Sequence, residues 1–115
     1  MGLMALLRRK LGKDDPIANN RRIAAKLNNV HIKYISEKDE HGEELIIGRE
    51  CHINLLGAQK REMAATEGIR TLFRLTVDEM SIWEFMSLDG CVIRFNDLDT
   101  GRERSVTVYY DKHLT

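Results

Sequence analysis

Between Val30 and Tyr110 the apolar residues fall in short runs, several with a two-residue alternation, divided by polar or glycine-containing breaks. An extended chain turns successive side chains to opposite faces, so this period predicts strands buried chiefly on one side. Val30, Ile32 and Tyr34 alternate with His31, Lys33 and Ile35; the stretch from Glu37 to Gly42 then interrupts the pattern, and Glu44 to Gly48 returns as a partner strand. A corner at Gly48 to Glu50 leads to a third run, Cys51 to Leu56. Ala58 to Thr66 is rich in good helix formers. It nevertheless ends in Glu67-Gly68 and meets the strand-like Ile69 to Val77, which favours a hairpin over a short helix. Ser81 to Leu88, Cys91 to Asn96 and Arg104 to Tyr110 complete the series, divided by Asp89-Gly90 and by Asp97 to Gly101. Asp-Gly between apolar runs signals a tight hairpin turn, because glycine adopts positive φ freely.

Ahead of Val30 the period lengthens. Leu3, Leu7 and Leu11 recur at four-residue spacing, with Arg8, Arg9, Lys10 and Lys13 on or beside the remaining surface and Gly12 as a stop. Asp15-Pro16 opens a second helix: the aspartate caps free N–H groups, and proline at the first helical position gives up no hydrogen bond. Ile17, Asn20, Ala24 and Leu27 lie along one side of it, and Asn28-Asn29 closes it. The fold class expected is α+β, with one or two N-terminal helices followed by an antiparallel meander of seven or eight strands forming a small barrel or twisted roll. Residues 1–13 form a basic amphipathic segment, and residues 14–115 a single globular domain with its helix at 16–28 and its sheet at 30–111.

Length and charge narrow the function classes. A chain of 115 residues supports one core. Eighteen Lys and Arg balance eighteen Asp and Glu, which argues against sequence-independent binding to nucleic acid, where unbalanced cations replace condensed counterions. Scattered basic strand positions beside Tyr34, Phe73, Phe95, Tyr109 and Tyr110 leave a single-stranded nucleic-acid-binding barrel as a lower-ranked alternative. Cys51 and Cys91, without a CxxC spacing, read as buried free thiols in a reducing compartment. No apolar run approaches the roughly 20 residues that span a bilayer. The expected location is the cytoplasm, with membrane association as a variant.

The chemistry-bearing residue types do not assemble into a reaction. His31, His41, His52 and His113 lack metal-ligand spacing, and Cys51 and His52, adjacent on a strand, point to opposite faces. Asp97-Leu-Asp-Thr-Gly101 resembles the start of a calcium loop, but alignment of its glycine puts Leu98 on a ligand position, so a hairpin turn explains it better. Neither a glycine-rich phosphate loop nor a G-x-S-x-G elbow occurs. No catalytic, cofactor-binding or metal-binding residue is nominated, and the chain is read as non-enzymatic.

Two features remain. Leu3, Leu7, Arg8, Arg9, Lys10, Leu11 and Lys13 are candidate contacts to an anionic membrane surface or a partner. Glu84, on the face of its strand opposite Trp83 and Phe85, needs a cation, for which Arg94 or Arg74 on a neighbouring strand is the candidate; the pair is read as a structural ion pair or a hidden site. The function expected is that of a binding module, chiefly protein–protein, including self-association through a sheet edge, with a membrane-surface adaptor as the first alternative. The sequence names no small-molecule ligand.

Overall fold

The structure, a computed structural model, describes residues 15–111. The helix α1 (Pro16–Leu27) is followed by seven strands: β1 (Val30–Lys38), β2 (Glu44–Leu56), β3 (Glu62–Glu67), β4 (Arg70–Thr76), β5 (Ser81–Glu84), β6 (Gly90–Asn96) and β7 (Glu103–Tyr109). All neighbours pair antiparallel in one sheet of order β4-β3-β2-β1-β7-β6-β5. The fold is therefore α+β, as the two periods of the sequence predict. Asp15 caps α1 through a 3.0 Å bond from the Ile17 N–H, and Asn29 turns the chain into β1 with φ of 66°. The helix contributes Ile23, Ala24 and Leu27 to a core completed by alternate residues of the strands, among them Ile53, Met63, Phe73, Leu75, Ile93, Val106 and Val108.

Three expectations need correction. The sheet is not a closed barrel, because β4 and β5 do not pair. They are consecutive in sequence and joined by a 3-10 turn at Val77–Glu79, and α1 packs against that turn. The Asn20 amide donates to Val77 O at 2.9 Å and to Met80 O at 2.7 Å, so a side chain satisfies carbonyls at the opening. Second, Glu44 to Leu56 is one continuous strand, without a corner. The irregularity is absorbed locally, at Glu50 with φ of 51° and at a register shift opposite Ile35 and Ser36. Gly48, inside this strand, serves close packing instead of a corner: a Cβ there would sit 2.5 Å from Leu72 Cδ1 and 2.9 Å from Cys51 Sγ. Third, the Trp83 strand stops at Glu84 rather than continuing to Leu88.

The ambiguous stretch resolves as a turn followed by β3, and Gly68, with φ of 61°, turns β3 into β4. The rolled sheet brings β4 over the β6–β7 connection. Leu98 N–H donates to Arg74 O at 2.9 Å, and Arg104 Nη1 donates to Leu72 O at 3.0 Å. These bonds occupy carbonyls on the free side of β4 and protect that edge from pairing with another chain.

Candidate interaction surface

Three concentrations of polar or apolar side chains stand out. The first is an ion network at the end of the roll. Arg104 donates from Nε and Nη2 to the two carboxylate oxygens of Glu37 at 2.9 and 2.8 Å, and from Nη1 to Asp97 at 2.8 Å. Burial pushes the Asp97 carboxyl up, but the Asp99 N–H and the Arg104 guanidinium outweigh it, leaving the pKa below the ordinary carboxylate value. The Glu37 carboxylate in turn raises the Arg104 pKa. A 590 Å³ cavity adjoins the network, with Lys38, Glu40, Arg102 and Glu103 among its walls. Arg104 spends its donors on fold-internal acceptors, and Asp97 also holds the β6–β7 turn through Asp99 N–H. This network closes the roll. The Asp97 loop is thus turn chemistry, with Gly101 at φ of 72°.

The second is a histidine pair. His31 and His52 face each other across β1 and β2 with ring centroids 5.6 Å apart, and His31 Nε2 contacts the Glu50 carboxylate. Both rings are exposed, and no group of three or more potential metal ligands converges among the described residues. Cys51 lies on the buried side of the same strand, away from His52. Burial pushes the Cys51 thiol up to about 11 and the Cys91 thiol up to about 12, so neither supplies a thiolate near neutrality.

The third is apolar and exposed. Trp83 is 54 % exposed, Met86 101 % and Leu88 50 %, all on β5 and the connection to β6. The loop is fixed from beneath. Phe85 N–H donates to Gly90 O at 2.8 Å, Leu88 N–H to Phe85 O at 3.0 Å, and Tyr110 N–H to Asp89 O at 3.0 Å. The Phe85 ring meets Tyr109 edge-on at 5.7 Å, and Tyr109 stacks on Tyr34 at 4.3 Å. Gly90 admits this arrangement, since a Cβ there would lie 2.6 Å from the Phe85 ring and 2.7 Å from Val108 O. The positive φ falls on Leu88, at 64°, instead of on Gly90. A leucine in the left-handed region, half exposed, costs about 1 kcal/mol that a glycine or asparagine would largely avoid. Beside Trp83 a 440 Å³ cavity opens between the first turns of α1 and β5, lined by Pro16, Asn19, Asn20, Met80, Ser81, Ile82 and Trp83.

Glu84 does find cations, on the helix. Lys26 Nζ lies 3.0 Å from Oε2, and Arg22 Nη2 3.5 Å from Oε1. Arg94 instead approaches Glu103 at 3.5 Å, and Arg74 binds Glu62 and Asp99. Register separates the expected pair: Arg94 stands opposite Ser81, whereas Glu84 stands opposite Cys91. The Glu84 contacts close one end of the α1–β5 seam. Leu3, Leu7, Arg8, Arg9, Lys10, Leu11 and Lys13 lie outside the described residues. Sequence reasoning placed Met86 and Leu88 on a strand and missed the exposed loop. The one available signal was Leu88-Asp-Gly, which ends a strand earlier if the turn is longer than two residues.

Among the described residues no helix is long and apolar enough to cross a membrane. Comparison of the chain with family models, curated proteins and solved structures finds no match in any of the three.

Proposed function

We propose that this chain is a non-catalytic interaction module that binds another protein through Trp83, Met86 and Leu88. The observation that carries the reading is their joint exposure on a loop whose underside is fixed by backbone hydrogen bonds and the Phe85–Tyr109 contact. Single exposed apolar residues are ordinary, but three of them within six successive positions, Trp83 to Leu88, favour a partner. Trp is among the residues enriched at binding hot spots, and a pre-formed surface loses little entropy on association. The left-handed Leu88 strengthens the reading, because only about half of its surface is covered in the fold to offset the backbone strain.

The test is site-specific photocrosslinking in living cells, with the photoreactive residue at exposed position Ser87 and a control at exposed position Glu40 on a distant loop. The reading expects a discrete crosslinked protein from position 87 that is absent from position 40. Crosslinks at both positions alike, or none at position 87, count against it.

A further inference from the structure

The geometry points to a site for a divalent transition-metal ion of the zinc class on the outer face of the sheet, with His31 and His52 as its protein ligands and Glu50 as the carboxylate that orients His31. It is independent of the Trp83 surface. Register brings the two imidazoles together. His31 on β1 stands directly opposite His52 on β2, so both side chains leave the same face of the sheet. The adjoining pairs, Val30 with Ile53 and Ile32 with Cys51, anchor the two strands, since Ile32, Cys51 and Ile53 are fully buried on the other face. β3 fixes β2 from the far side, with Thr66 opposite His52. The rings thus project from a backbone that need not move to accept an ion, which lowers the cost of assembling a site. Their centres are 5.6 Å apart and their planes are inclined by 67°. An ion shared by two imidazoles lies about 2.0–2.1 Å from each nitrogen, and a tetrahedral angle between them sets the ring centres roughly 5 Å apart. A small rotation of the side chains covers the difference.

Glu50 supplies the second argument. Its φ of 51° lies in the left-handed region, which a glutamate occupies only at a steric cost, and its carboxylate contacts His31 Nε2. A carboxylate on one ring nitrogen holds the proton there and leaves Nδ1 of the neutral ring with a free lone pair. Metal-binding histidines are oriented in this way. Lys33, two positions along β1, pairs with Asp111 at 3.0 Å and does not take the Glu50 carboxylate from His31.

Donor chemistry selects the ion. Imidazole nitrogen suits Zn2+, Cu2+ and Ni2+, whereas Mg2+ and Ca2+ seek oxygen. Cys51 cannot join, because it is buried on the opposite face. No group of three side-chain ligands converges among the described residues, so water completes the coordination. The ion is therefore exposed and exchangeable, unlike a structural zinc enclosed by four side chains. His41 gives the contrast: it has Glu40 beside it at 3.6 Å and faces no second imidazole among the described residues.

The probe is Zn2+ alone, titrated into the untagged full chain in a buffer that does not bind metal. Calorimetry is expected to give one ion per chain, with the imidazole resonances of His31 and His52 shifting together as the site fills. His31→Gln and His52→Gln each weaken binding about tenfold or more, because a single imidazole does not chelate, and Glu50→Gln weakens it about tenfold through the lost orientation of His31. His41→Gln leaves it unchanged, and Mg2+ shifts neither ring. All four substituted positions are exposed, so the variants keep the urea midpoint of the parent; should one unfold, the imidazole shifts of the parent chain decide. The proposal is overturned by the absence of saturable binding, by shifts confined to one of the two rings or to His41 and His113, or by an equal response to Mg2+. Unchanged affinity in His31→Gln, His52→Gln or Glu50→Gln overturns it as well.

Discussion

Phe73 on β4 and Phe95 on β6 hold their rings 4.7 Å apart, although β3, β2, β1 and β7 lie between their strands in the sheet. That contact requires the sheet to roll over on itself, and it makes one core of two halves that do not pair along their edges. Arg104 reinforces it from the polar end by bonding Leu72 O on β4 while its strand neighbours β6. Removing the ring should therefore damage both halves together. Phe95→Ala is expected to cost about 3–5 kcal/mol. Urea unfolding measures the loss, and hydrogen exchange should show protection falling in β4 as well as in β6.

Asp97 makes the fold sensitive to acid. Its folded pKa lies below its unfolded value, so its contribution is present above the ordinary carboxylate range, about 4, and is lost as pH falls through the depressed folded value. The Asp97→Asn variant should unfold at lower denaturant at neutral pH yet show a flatter pH dependence below pH 5. Asp97→Ala, which leaves the Arg104 charge with one carboxylate fewer, should cost about 3 kcal/mol. Denaturant midpoints from pH 2 to 7 check both.

Gly90→Ala tests the packing beneath the loop. The added methyl meets the Phe85 ring at 2.6 Å and the Val108 carbonyl at 2.7 Å, and the latter belongs to a paired strand that cannot easily yield. A loss of about 1–3 kcal/mol is expected, with near-ultraviolet circular dichroism reporting the displaced aromatic cluster. Gly101→Ala is the comparison: its cost arises from φ of 72° alone, since its Cβ would meet open space.

Most of this architecture is legible in the sequence because its signals are local. Asp15-Pro16 at a helix start, Glu67-Gly68 at a hairpin and the two-residue period from Val30 onward each act within a few bonds. Non-local relationships are not legible in that way. Whether β4 and β5 pair depends on α1 lying against the 3-10 turn between them, and the cations that reach Glu84 come from α1, not from a neighbouring strand. The Asp89-Gly90 signal misleads for a specific reason: Gly90 is needed for close approach to Phe85, while Leu88 carries the positive φ. Turn chemistry and packing select the same residue, and composition cannot separate them.

Leu88 links this strain to function. Replacing it with glycine should stabilise the domain by about 1 kcal/mol, since glycine adopts φ of 64° without the steric cost. The same substitution removes an exposed side chain from the candidate surface, so binding should weaken while stability rises. Thermal melts together with crosslinking yield from position 87 read the two effects separately.

The central claim, that Trp83, Met86 and Leu88 serve a partner and not the fold, is tested most directly by measuring stability and binding in one triple variant, Trp83→Ser, Met86→Ser, Leu88→Ser. Met86 is fully exposed and Trp83 and Leu88 are only about half covered in the folded chain, so its urea midpoint should fall modestly at most, while the crosslink from position 87 disappears. A large drop in stability, or an undiminished crosslink, would contradict the account.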